Sequence, residues 1–390
     1  MFGHSQLKKL SNRMKLPSRE KCFEYLKEYK LPENIVKHSL KVNQIAVFLA
    51  RRLKEKGVLV DVSAVDRASL LHDLDKIKTL KNHKHGIVTE EILRKKGYAS
   101  LGRLAKFHRF DYVLKLKTWE EKIINYADKR CVEDNIVTLK QRFAYLDRKY
   151  KIHKRKKSDL AKKLFLKLER EIFHKLKLNP NKLKDYIKPK KGVIFDLGGV
   201  YLSSTVSHRI NAVAKKFKVS PAKVRKAAGL YFHLSQVNKI SDKEFFNAII
   251  NELKLNINWK RFHSYWMSPY KKYSKINKKV YSLVKKLKKN GYKVAALSNT
   301  EPHISAYNYQ RKLFSPFDYV VLSFEVKMRK PDQSIYEHTL KLMKLQAREC
   351  IFIDDYEKYL IPAGKLGMET ILFKSAEQLK EDLQQLHIKV

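Results

Sequence analysis

GVIFDLGGV, residues 192–200, decides the fold of the second half of this chain: an apolar run through Val193, Ile194 and Phe195 passes into Asp196 and then into a glycine turn. Four more apolar runs follow, KVAALSN (293–299), DYVVLS (318–323), CIFIDD (350–355) and ETILF (369–373), separated by helical segments. Short buried strands alternating with helices are the pattern of an α/β fold built on a parallel sheet. The carboxyl ends of such strands lie along one edge, where ligands bind. The first run ends in Asp196, the second in Ser298 and Asn299, and the fourth in Asp354 and Asp355, while Lys330 follows the third within RKPD (329–332). One crevice is therefore expected to gather a nucleophilic carboxylate, a hydroxyl, a lysine and two further acids.

Each type has work to do there. A carboxylate attacks phosphorus and splits hydrolysis into two easier steps. Asp196, Asp354 and Asp355 are the hard oxygen ligands that Mg2+ requires. Ser298 and Lys330 hold phosphoryl oxygens and stabilise the charge that builds on them. DLGGV, SNT, RKPD and IDD, in this order, resemble the four motifs of the haloacid-dehalogenase-like (HAD) superfamily across residues 191–375. NKISDKEFF (238–246), YWMSPY (265–270) and LGMETILF (366–373) look like its IA-type branch, which includes sugar-phosphate phosphatases and the phosphatase half of epoxide hydrolases. The resemblance implies a Rossmann-like core, a small helical cap over about 204–275, small phosphomonoester substrates, and Asp196, Ser298, Asn299 and Lys330 in catalysis. It also implies Mg2+ held by Asp196, Asp354, Asp355 and the backbone carbonyl of Gly198. The family's usual second Asp, the general acid two residues after the nucleophile, is replaced by Gly198, which is expected to slow release of poor leaving groups by about 10²–10⁴-fold.

Upstream, the periodicity is helical. LPENIVKHSLKVNQIAVFLARRLKEK (31–56) places Ile35, Val36, Leu40, Val42, Ile45, Ala46 and Leu49 at helical spacing. A second helix is expected over SAVDRASLLHDL (63–74) with Ser63 as its N-cap, a third from Gly86 to Lys96, and a fourth through TWEEKIINYADKRCVEDN (118–135) opened by a Thr118–Glu121 capping box. No β-type alternation intervenes, so this half reads as all-α. A basic turn, HKRKK (153–157), and an amphipathic helix follow, and NPNKLKDYIKPKK (179–191) ends the module with two prolines. The expected domains are a basic extension at 1–16, an all-α domain with a helical extension at 17–187, and an α/β domain at 188–390.

The helical half carries His38, the His72-Asp73 pair, His83, His85, His108 and Asp128. His72 and Asp73 end an apolar helix, an odd place for polar groups without a partner. Imidazole and carboxylate together suit Mn2+, Fe2+ or Zn2+. HSLKV (38–42), LLHDLDK (70–76) and NYADKR (125–130) resemble the HD-domain metal-dependent phosphohydrolases over about residues 17–145. The resemblance implies a first metal on His38, His72, Asp73 and Asp128, with His85 and His108, from HKHG and KFHRFD, completing a two-metal site bridged by Asp73. Lys76 is expected to contact a substrate phosphate. Many relatives have HDIGK where this chain has HDLDK, so Asp75 stands in a glycine's place. His83 is expected to be a solvated loop residue, and His4, His153 and His174 carry no functional weight.

The 390 residues hold 85 Lys and Arg against 39 Asp and Glu, a formal charge of +46. Such a field attracts polyanions, so RNA or a nucleotide is a candidate partner. Three scattered cysteines, with no CxxC pair, argue for a reducing compartment and against a disulfide or structural-zinc framework. No apolar run is long enough for a spanning helix, and the basic N-terminus lacks a secretory apolar stretch. A cytoplasmic protein without a membrane partner is expected, and Met14 is a candidate start. The expected function is a metal-dependent bifunctional phosphohydrolase: a phosphomonoesterase (sugar phosphate or nucleotide) acting through Asp196, beside an HD site cleaving a phosphoester or phosphodiester of a nucleotide. A sharper form makes the two sequential on nucleotide or RNA ends. The alternative is a nucleotide-sensing or RNA-associated regulatory protein in which one or both sites bind phosphate without efficient turnover.

Overall fold

The computed structural model describes residues 14–79, 84–151 and 158–390. The extension ahead of Met14, His83, and the HKRKK run with His153 lie outside the described residues. The chain divides into two compact units between Ile187 and Lys188.

In the first unit, α1 (Arg19–Glu28) and the 23-residue α2 (Glu33–Glu55) lead into α3 (Val62–Leu71), which is buried along nearly its whole length. α2 turns Val42, Ile45, Ala46, Leu49 and Leu53 inward, as the periodicity requires. α4 (Ile87–Lys95), α5 (Ala99–Lys106) and α6 (Trp119–Lys129) follow, and the Thr118–Glu121 capping box opens α6. α7 (Leu139–Tyr150), α8 (Ser158–Leu176) and the short α9 (Leu183–Tyr186) complete the unit. Two local expectations need correction. The cap of α3 is Asp61, whose carboxylate accepts from the Ala64 N–H at 3.0 Å, so Ser63 lies inside the first turn. The unit is also not wholly helical. α6 stops at Lys129, and two two-residue strands, β1 (Cys131–Val132) and β2 (Asn135–Ile136), pair as an antiparallel hairpin with Glu133 at positive φ. Strands this short offer no alternation to read.

A polar knot is buried where α1, α2 and α3 meet. Asp66, with no exposed surface, is gripped by the Arg19 and Arg67 guanidiniums and accepts from Asn43 Nδ2 at 3.0 Å. Asn43 also donates to Ser69 Oγ at 2.9 Å, tying the knot to the turn of α3 that precedes His72.

The second unit is the expected α/β core. Its five strands, β3 (Gly192–Phe195), β4 (Lys293–Ser298), β5 (Tyr319–Leu322), β6 (Cys350–Asp354) and β7 (Glu369–Leu372), form a parallel sheet in the order β5-β4-β3-β6-β7. β3 is central, so Asp196 emerges between the ends of β4 and β6. Directly after β3 the chain inserts four helices, α10 (Val206–Phe217), α11 (Pro221–Ser235), α12 (Asp242–Glu252) and α13 (Trp259–Tyr273), with their own aromatic core of Phe245, Phe246, Phe262 and Trp266. α14 (Lys278–Lys289), α15 (Pro302–Gln310), α16 (Ser323–Val326), α17 (Gln333–Met343), α18 (Glu357–Leu366) and α19 (Ala376–Gln385) connect or flank the strands. Among the described residues, no helix is long and apolar enough to cross a membrane.

Removing the acid from the knot leaves two guanidiniums buried without it. Asp66→Ala is expected to cost about 3–5 kcal/mol, read as an earlier urea transition of the helical unit. An unchanged transition would contradict this account of the knot.

Candidate active sites

In the helical unit six side chains converge from five places. His38 comes from α2, His72 and Asp73 from the end of α3, His85 from ahead of α4, His108 from after α5, and Asp128 from α6. They form two triads, His38-His72-Asp128 and Asp73-His85-His108, and within each the ligand atoms lie within 4.8 Å of one another. The four imidazoles are oriented alike. Their Nδ1 atoms are taken up by Glu133 O (2.7 Å), Ser69 O (2.7 Å), Asp75 Oδ1 (2.7 Å) and Ala105 O (2.8 Å), for His38, His72, His85 and His108 in turn. An Nδ1–H donated outward fixes the tautomer and turns every Nε2 inward, the arrangement of metal-ligating histidines.

What the Nε2 atoms meet suits a cation. His72 Nε2 is buried with no hydrogen-bond partner, 3.7 Å from Asp73 and 3.8 Å from Asp128. His85 Nε2 and His108 Nε2 face each other at 2.9 Å, and His85 Nε2 lies 3.0 Å from Asp73. Burial pushes His72 and His108 down, so both stand as neutral ligands. Burial opposes charge on Asp73 and Asp128 too, but Lys76 and the His85 hydrogen bond hold the first, and Lys129 and His38 the second, well below the carboxylate range. Against its own burial, the Asp128 hydrogen bond lifts His38 to about 10. The neutral imidazoles of His72 and His108, with two ionised carboxylates around the unpartnered His72 Nε2, fit one or two divalent ions.

Three neighbours refine the expectations. Asp75 is an orienting group: besides His85 it accepts from Gly86 N (2.7 Å) and Thr89 N (3.0 Å), capping α4 in place of an N-cap side chain. Lys76 lies past the end of α3 and rests 3.3 Å from Asp73 and 3.4 Å from His85. Lys129, buried beside Asp128, also donates to His108 O at 2.7 Å, bracing two ligands at once. The sequence marked Asp75 only as a departure and passed over Lys129, although NYADKR contains it.

In the α/β unit the strand ends meet as the topology demands. Lys330, 1% exposed, bridges Asp196 Oδ1 (2.6 Å) and Asp354 Oδ2 (2.7 Å). Asn299 clasps the Lys330 backbone with both ends of its amide, each at 2.8 Å, so its side chain positions the lysine. Asp354 Oδ1 accepts from Tyr356 N at 2.9 Å. Gly199, at φ +88°, lies so close to Asp355 that a Cβ there would overlap the carboxylate. Asp196, Asp354 and Asp355 bring oxygens within 4.8 Å of one another. Burial, with the neighbouring acids, pushes Asp196 up to about 7 against the pull of Lys330, and Asp355 is raised for the same reasons. Three crowded carboxylates, with one lysine between two of them, fit a hard divalent cation. Ser298 and Gly198 line a cavity of about 310 Å3 between this edge and the four-helix insertion. A Cβ at Gly198 would meet nothing within 4 Å, so the missing acid leaves open space.

Two measurements check the helical site. Zn2+ or Mn2+ must displace the proton held on His38, so binding at pH 7 is expected to release protons and tighten as pH rises. Calorimetry in buffers of different ionisation enthalpy reads this, and no release would contradict it. Asp75→Asn keeps an oxygen for the α4 N–H groups but weakens the grip on His85. It is expected to lower affinity for the second ion about 10–100-fold, whereas unchanged stoichiometry and affinity would remove the role given to Asp75.

Comparison with known proteins agrees with this division. The family model described as haloacid dehalogenase-like hydrolase matches residues 193–373, and that of the HD domain matches 35–136. The chain is 32% identical over 117 residues to bifunctional epoxide hydrolase 2 of Sus scrofa, covering 29% of this chain but only 21% of that protein. It is 36% identical over 124 residues to an uncharacterised protein of Methanocaldococcus jannaschii, covering 28% of this chain and 72% of the relative. A sesquiterpene phosphatase of Aspergillus oryzae is 35% identical over 88 residues, 22% of this chain and 45% of that one. A solved HAD family enzyme from Bacteroides thetaiotaomicron is 25% identical, with a TM-score of 0.43 over 48% of this chain and 95% of its own. The chain thus carries an HD domain over residues 35–136 and a haloacid dehalogenase-like hydrolase domain over residues 193–373.

Proposed function

We propose that the chain is a bifunctional, metal-dependent phosphohydrolase. Its α/β unit removes the phosphoryl group of a small phosphomonoester through an aspartyl-phosphate on Asp196. Its HD unit hydrolyses a phosphoester or phosphodiester, with a nucleotide as the substrate class that its positive field favours.

The observation that carries the first activity is the bridge Asp196–Lys330–Asp354, whose chain neighbours Leu197, Gly198 and Arg329 line a 310 Å3 cavity. Asp196, Asp354, Asp355 and the Gly198 carbonyl would hold a divalent cation, whose charge would favour ionised Asp196 and screen it from the phosphate. Lys330 holds the nucleophile and stands ready for a phosphoryl oxygen, while Ser298 offers its hydroxyl to another. The Asp196 carboxylate forms a bond to phosphorus as the ester P–O bond breaks. With glycine at 198, the departing oxygen takes its proton from solvent. Water then attacks the aspartyl-phosphate, returning the Asp196 carboxylate and inorganic phosphate. This route works best for leaving groups that need little protonation.

For the HD unit the carrying observation is four imidazoles whose Nδ1 atoms are all anchored, with Asp73 between the two halves of the cluster. These side chains would hold one or two divalent ions, whose charge would polarise water and substrate phosphate. Lys76, beside Asp73, faces the same centre and is suited to a phosphate oxygen.

Activity on p-nitrophenyl phosphate and on sugar phosphates with Mg2+ is expected to disappear in Asp196→Asn. Gly198→Asp, placing an acid in open space, is expected to raise turnover of alkyl phosphates by about 10²-fold or more and to help p-nitrophenyl phosphate far less. Monoesterase activity that survives Asp196→Asn but is lost in a His72→Ala/Asp73→Ala double variant would move this activity to the HD unit. No activity in either unit would favour the regulatory alternative.

A further inference from the structure

The cavity beside Asp196 contains a charge that the phosphoryl chemistry does not use. Arg209, on α10 of the insertion, is 4% exposed, and its Nε and Nη1 are buried without any hydrogen bond. Its guanidinium lies 5.1 Å from the centre of the Trp266 ring and 5.8 Å from that of Tyr270. The nearest acid, Glu301, comes only to 3.9 Å, beyond hydrogen-bond reach. Glu301 is occupied on its other oxygen, which accepts from Gln236 Nε2 at 2.9 Å. Gln236 Oε1 is itself buried and unpartnered. Arg209, Gln236 and Glu301 line the same 310 Å3 space as Gly198, Ser298 and Asn299.

A guanidinium taken out of water needs its donors satisfied, and here the protein satisfies none at Nε or Nη1. The same holds, with opposite polarity, for the acceptor on Gln236. Both side chains line the space a leaving group would fill when its phosphate rests at Asp196. Apolar walls at Val206, Phe232 and Ile304 restrict that group to a small one.

Building on the phosphatase reading above, we propose that Arg209 is a specificity residue that binds a second oxyanion, carboxylate or phosphate, on the leaving group. The substrate class is then a small phosphomonoester that is also an acid, with a hydroxyl beside the oxyanion to donate to Gln236 Oε1. Charge-assisted bonds of Arg to oxyanions are the strong, directional kind that a dry cavity favours.

The test compares kcat/KM with Mg2+ for four probes: p-nitrophenyl phosphate and glycerol phosphate, which lack a second oxyanion, phosphoglycerate for the carboxylate, and a small sugar bisphosphate for the second phosphate. Wild type is expected to prefer at least one oxyanion-bearing probe over glycerol phosphate by about tenfold or more. Arg209→Met is expected to lower that preferred kcat/KM at least tenfold more than it lowers that for p-nitrophenyl phosphate, mainly through KM, and Arg209→Lys is expected to restore part of it. The carboxylate and phosphate arms tell the two sources of the oxyanion apart. No preference in wild type overturns the proposal whether or not the variants fold, as does an equal loss on all probes in a folded Arg209→Met. If no probe turns over, the phosphatase reading fails by itself. Calorimetry then decides on Asp196→Asn: tighter binding of phosphoglycerate than of glycerol phosphate, lost with Arg209→Met, supports the oxyanion site, and equal binding overturns it.

Discussion

A charge or lone pair removed from water must find a partner, and both centres of this chain are arranged around that requirement. In the HD unit, Asp73, Asp128 and His72 are all almost fully buried, yet His72 Nε2 has no hydrogen bond. In the α/β unit, Asp196 and Asp354 are buried around one lysine, with Asp355 beside them. Lys330 balances part of that negative charge, and burial and crowding hold Asp196 near 7. A divalent ion would resolve both conflicts, by accepting imidazole lone pairs in one unit and by neutralising carboxylates in the other.

The scaffolds reach this arrangement by different routes. The HD unit fixes ligands through their far sides. Backbone carbonyls of Ser69, Ala105 and Glu133, together with the Asp75 carboxylate, each take an Nδ1–H, so ring orientation is set before any ion arrives. The β1–β2 hairpin matters because it delivers one of those carbonyls. The α/β unit uses topology instead. With β3 between β4 and β6, the residues following three neighbouring strands have nowhere to point but into one crevice. Asn299 then locks the Lys330 backbone, and Gly199 admits Asp355 at a distance that no side chain would allow.

Much of this was legible in the residues. Apolar runs of four to six residues that end in Asp196, Ser298 and Asp354 define a parallel sheet and its active edge together, because strand burial and strand ends are both local patterns. Helical periodicity marks α2 and α6 equally well, and the histidines stand out through their apolar surroundings. Three features depend on three-dimensional neighbours and were not legible. Asp61 rather than Ser63 caps α3, since both residue types are able caps and only chain geometry chooses. Asp75 looked like a departure from a motif, but its partners Gly86 and Thr89 come from the next helix. Arg209 carries no motif at all: its meaning lies in the hydrogen bonds it fails to make once α10 packs over the core.

Both clusters, on this reading, are cation sites built by the fold. Diffraction from crystals of the full chain soaked in Mn2+, with data collected for its anomalous signal, tests it most directly. The account predicts peaks in both places: one or two among His38, His72, Asp73, His85, His108 and Asp128, and one against Asp196, Asp354 and Asp355. Clear maps with all these side chains ordered, and no anomalous peak at the inward Nε2 atoms or among the three carboxylates, would contradict it.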